Sequence, residues 1–200
     1  MKSKMYLVLI LAVAVGLCLV SCGAGKKAAA TTAIKTAEDA YNAVKADLVK
    51  YLPEDAQGVE DAINGAKASL EEKKFDAAIE AVKAIPDKIA ELTVAAAAKK
   101  DELTKSWEEM SGAMPGMLET IKTKLDALSA SRKLPVNLDK AALENAKGGY
   151  ETATAMWNEA QTAFSGGDVV DAMAKAKTVQ EKAMEIMTAI GIPLPGAASK

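Results

Sequence analysis

Histidine is absent from this 200-residue sequence, and cysteine occurs only at positions 18 and 22. Without histidine the chain lacks the commonest general acid/base and the commonest metal ligand. A Ser-His-Asp hydrolase, a His-ligated zinc site and a His-ligated haem are therefore excluded. Arginine is nearly missing as well: Arg132 is the only one, and 25 basic residues face 27 acidic ones. That balance lacks the basic footprint of a nucleic-acid binder, so nucleic acid is not an expected partner. Aromatic residues make up 4% of the chain, with no alternating aromatic or β-branched run that would read as a strand. No glycine-rich phosphate loop is present, since Gly148-Gly149 and Gly166-Gly167 fall inside or between predicted helices. The carboxylate pairs Glu54/Asp55, Glu71/Glu72 and Glu108/Glu109 are sequence neighbours. On a helix such neighbours point about 100° apart and do not converge on one substrate. No catalytic residue and no cofactor is expected.

What is present begins with a leader. Lys2 and Lys4 precede an almost unbroken apolar run from Met5 to Val20. A basic start, a short apolar stretch and a small residue before the cut are the signature of a secretory signal peptide. The 16-residue run is short of the roughly 20 residues of a permanent span. The four residues that close it, Leu19-Val20-Ser21-Cys22, resemble the lipobox of bacterial lipoproteins. That resemblance implies that Cys22 receives the lipid, becomes the first mature residue and makes the membrane a partner. Cys18 is the alternative, but bulky Leu17 precedes it where the pattern wants a small residue. Gly23 follows Cys22, and by the same resemblance the outer membrane of a diderm cell is favoured, facing the periplasm; otherwise the cell membrane is. Removing residues 1–21 leaves 179, with 23 basic and 27 acidic residues and no possible internal disulfide. Stability must then come from packing.

Residues 22–32 (CGAGKKAAATT) read as a lipidated flexible tether. Beyond it the pattern is helical throughout, and the fold expected is an all-α, elongated bundle of two duplicated three-helix units. The first unit spans 33–111. Its helices carry the stripes Ile34, Ala37, Tyr41, Val44, Leu48, then Val59, Ile63, Ala66, Leu70, then Phe75, Ala78, Val82, Ile85, Ile89, Leu92, Ala96. Leu52-Pro53 separates the first two helices, and Pro86 is expected to kink the third near Val82. Gly112, Pro115 and Gly116 are expected to break the chain as a linker over 112–116. The second unit, 117–191, carries Leu118, Ile121, Leu125 and Leu128, then a helix capped by Asn137, then Val169 to Ile190 at 3-4 spacing. Residues 192–200 read as a flexible tail.

Seven stripe positions of the third helix recur in the last one at a constant offset of 94, from Phe75/Val169 to Ala96/Ile190. The helix, tight turn and helix around Phe75-Asp-Ala-Ala and Val169-Val-Asp-Ala resembles the hairpin of tetratricopeptide-type repeats, which implies a helical surface for binding protein.

Three further candidates stand out. Met110, Met114 and Met117 are clustered thioethers, a soft donor set suited to Cu(I), or else adaptable apolar packing. Trp107, near the end of its helix, is the aromatic best placed for a partner surface, whereas Tyr150, Trp157 and Phe164 fall on a buried stripe. Lys200 ends the sequence, and murein lipoprotein, to which the layout is similar, is joined to peptidoglycan through such a lysine. The favoured function is a non-enzymatic, membrane-anchored scaffold or adaptor for a protein partner in the cell envelope. The rivals are an envelope protein binding a small ligand or Cu(I), and a peptidoglycan-linked structural lipoprotein.

Overall fold

Alanine, lysine and glutamate dominate the sequence beyond the leader, and all favour helix. The computed structural model describes residues 23–194, and there all regular structure is α-helical, with no strand. The leader (1–21), Cys22, the end of the expected tail and Lys200 lie outside the described residues. The helices are α1 (Gly23–Tyr51), α2 (Pro53–Glu71), α3 (Phe75–Lys83), α4 (Ile85–Ala130), α5 (Lys140–Ser165) and α6 (Val169–Ala189). The chain divides into two compact units between Thr93 and Val94.

The first unit packs α1, α2 and α3 against one another. Residues 23–32 are not a loose tether: α1 starts at Gly23, Ala30 is fully buried, and Lys26 pairs with Asp76 of α3 at 2.7 Å. The physical reason is register. Ala30 precedes Ile34, Ala37 and Tyr41 at helical spacing, so the small residues extend the buried stripe. Antiparallel pairing of α1 and α2 is fixed by Lys45 with Glu60 at 2.6 Å, by Lys67 with Glu38, and by Tyr41, whose hydroxyl donates to the Ala56 carbonyl at 3.1 Å.

Burial raises the pKa of Tyr41 above its usual 10.0; the Glu60 carboxylate adds to this and Lys45 opposes it. A raised pKa means the stabilising neutral phenol is fully present below 10.0 and is lost as pH rises through the higher folded value. Tyr41→Phe should lower stability by about 0.5–1.5 kcal/mol, measured by urea unfolding at neutral pH. It should also remove the part of the alkaline destabilisation that Tyr41 causes.

Pro86 does more than kink its helix. α3 ends at Lys83, Ala84 forms a turn, and α4 starts at Ile85, so Pro86 occupies the first turn of a new helix. There its missing N–H costs nothing.

The second unit comprises the remainder of α4 with α5 and α6. The expected linker over 112–116 is helical, since α4 runs through Gly112, Pro115 and Gly116 without a break. Met114 is 1% exposed, and Leu118, Ile121, Leu125 and Leu128 continue its face into the core. Burial of that stripe outweighs the local helix-breaking residues, and Pro115 itself is solvent-exposed. Ile121, Leu125, Leu143, Ala146, Ala183 and Ile186 belong to one buried cluster, against which Met117, Tyr150 and Ile192 pack. Ile192, expected to begin the flexible tail, also donates its N–H to the Met187 carbonyl at 2.7 Å. Ala153 and Ala160 of α5 and Ala172, Ala176 and Ala183 of α6 are completely buried, which lets helix backbones approach closely.

The cap of α5 is Asp139 rather than Asn137, with its carboxylate accepting from Ala142 N at 2.7 Å. Leu138 is buried in the cluster, and that anchoring starts the helix later than the asparagine implied.

The turns before α3 and α6 share one hydrogen-bond pattern at offset 94. Glu72, Lys73 and Lys74 donate to Ala68, Leu70 and Ser69, as Gly166, Gly167 and Asp168 donate to Thr162, Phe164 and Ala163. Lys73 at φ 63° takes the left-handed position that Gly167 fills at φ 82°. This correspondence is confined to the hairpins. α6 is continuous where α3 and α4 are separated, so the helices do not match one to one as two three-helix units.

Candidate functional site

Cys22 immediately precedes α1 in sequence and lies outside the described residues. Lys200 lies outside them too, and the remaining sequence candidates, Trp107 and the three methionines, fall in the second unit. Met110, Met114 and Met117 follow i, i+4, i+7 spacing and so share one face of α4. Met114 is enclosed, Met110 and Met117 are half-buried, and Met117 packs on the hydrophobic cluster. Their placement is that of a packing stripe.

Trp107 is not a surface residue. It is 5% exposed and stacks on Trp157 at 5.4 Å between ring centroids, 16° from parallel, and on Phe164 at 4.7 Å and 12°. Trp157 and Phe164 are seven residues apart on α5, about 10.5 Å along its axis. Trp107 therefore fills the gap between two rings on one face of α5. Position near a predicted helix end misled the sequence reading, because α4 continues more than twenty residues beyond Trp107.

Among the described residues, each unit has a cleft open at its surface. In the first unit, a cleft of about 570 Å³ is walled by Val59, Ala62, Ala81 and Ile85, with Asp55 and Lys88 paired at 3.7 Å on its lining. In the second, a cleft of about 440 Å³ lies between α5 and α6, bordered by Asn158, Glu159, Thr162, Asp171 and Lys175. Lys175 donates to both carboxylate oxygens of Asp171 at 2.6 Å, and this raises its pKa against a smaller opposing effect of burial. The same cause acts at Lys45 beside Glu60, Lys74 beside Glu72 and Lys122 beside Asp126, while Glu72 is lowered by Lys74. Each is an exposed or half-exposed surface pair, on helices except for Glu72–Lys74, which lies in the α2–α3 turn.

Among the described residues no group of three or more Cys, Asp or Glu side chains is placed to hold a metal ion, and no helix is long and apolar enough to cross a membrane. The class defined by the fold is an all-α protein of two compact helical units. No family model, curated protein or solved structure matches the chain.

Proposed function

We propose that the protein is a lipoprotein of the bacterial cell envelope, attached to its membrane through Cys22, that acts as a non-enzymatic helical scaffold or adaptor for a protein partner. The observation that carries the anchor is the succession of Lys2 and Lys4, the apolar run Met5 to Val20, and Leu19-Val20-Ser21-Cys22. Gly23 after the cysteine favours the outer membrane of a diderm cell. The adaptor reading draws on the absence of histidine and on apolar side chains left at the surface, Val94 of α4 at 71% exposure and Val136 of the α4–α5 loop at 100%.

Metabolic labelling with palmitate tests the anchor. Wild type and Cys18→Ala should take up label, and Cys22→Ala should take up none. Label retained by Cys22→Ala would defeat the reading.

A further inference from the structure

A flexible tether of ten residues would hold its cargo at variable distance, with a root-mean-square reach of about 17 Å, and leave its orientation free. This chain has none between Cys22 and its first helix. α1 begins at Gly23, and its first turns are fastened to the unit by buried Ala30 and by the Lys26–Asp76 pair. We infer that the end of the first unit formed by the start of α1 and the α2–α3 turn is a membrane-docking face that sits on phospholipid headgroups. The inference rests on lipidation of Cys22.

Charge points the same way. This end gathers Lys26, Lys27, Lys73 and Lys74 against Glu71, Glu72 and Asp76. The remainder of residues 23–93 holds six lysines against ten carboxylates. The net positive end is thus the one beside the lipid-bearing cysteine, and the rest of the unit repels an anionic surface. Lys26 and Lys74 are engaged by Asp76 and Glu72, whereas Lys27 and Lys73 are exposed and make no ion pair among the described residues. The outward side of α1 offers no alternative seat. The outward positions of α1 include Thr31, Lys35, Asp39, Asn42 and Asp47, a mixed face without the apolar stripe of a helix lying in an interface. With this end on the bilayer, the α1–α2 turn stands at the other end of a 29-residue helix, about 43 Å long.

The lipidated protein carries no other mature cysteine, so a single introduced thiol can be labelled. Ala28→Cys and Ala46→Cys place a donor dye near opposite ends of α1, about 27 Å apart, and leave every lysine of the docking face in place. Both sites are exposed, and circular dichroism checks that each variant keeps its helices. The proteins are reconstituted on vesicles of phosphatidylethanolamine and phosphatidylglycerol bearing a headgroup acceptor. Energy transfer should be strong from position 28 and several-fold weaker from position 46. Equal transfer from both, or stronger transfer from 46, on protein that floats with the vesicles would overturn the docking face while leaving lipidation intact. Protein that carries no palmitate and fails to float would overturn lipidation and the docking face together.

Discussion

Trp107→Ala is expected to destabilise the second unit by about 3–5 kcal/mol, the range for removing a buried aromatic from a packed core. Burial and stacking both contribute. Trp107 meets Trp157 and Phe164 in near-parallel stacks, and each such pair adds about 0.5–1.5 kcal/mol beyond the area buried. A total stability of about 5–15 kcal/mol is usual for a domain, so this loss is a large fraction of it. Urea unfolding followed by Trp157 fluorescence measures it. Trp107→Phe should lose less, because a smaller ring still occupies part of the gap. A cost below about 1 kcal/mol, the range of surface changes, would mean that Trp107 is not the keystone of this stack.

The second large effect has the opposite sign. Replacing Gly112, Pro115 and Gly116 together by alanine should stabilise the protein. Each glycine in a helix interior costs about 0.5–1 kcal/mol relative to alanine. Proline costs about 3 kcal/mol, because it lacks the N–H that would bond the Ser111 carbonyl and its ring crowds the preceding turn. Space is not an obstacle, since a Cβ added at Gly112 or Gly116 would meet nothing within 4 Å. Thermal and urea unfolding of the triple variant should show a clear upward shift. Unchanged or reduced stability would mean that 112–116 serves as a break in the chain, contrary to the continuous α4.

These residues show where sequence patterns inform and where they stop. The stripes of α1, α2 and α6 were legible because apolar burial and helical period coincide: Ile34, Ala37, Tyr41 and Leu48 are buried, as are Val169, Ala172, Ala176, Val179, Ala183, Ile186 and Ile190. The stop at Leu52-Pro53 was legible for the same local reason. Gly112 to Gly116 was misread because glycine and proline are local signals, whereas burial of Met114 and Leu118 against the rest of the unit is a tertiary one. Residues 23–32 were misread for lack of a large apolar side chain; Ala30 fills its place by closeness of approach. Trp107 followed from the first of these errors, since an apparent helix end made a buried ring look peripheral. Val94 and Val136 carry no sequence mark of exposure, because single apolar residues at a surface obey no period.

The central claim concerns Cys22, and the mass of the N-terminal peptide from membrane-extracted protein tests it most directly. The expected result is a peptide that begins at Cys22, lacks residues 1–21 and carries diacylglycerol on the sulfur. An unmodified Cys22 still joined to Ser21, or a chain cut at another residue, would contradict it.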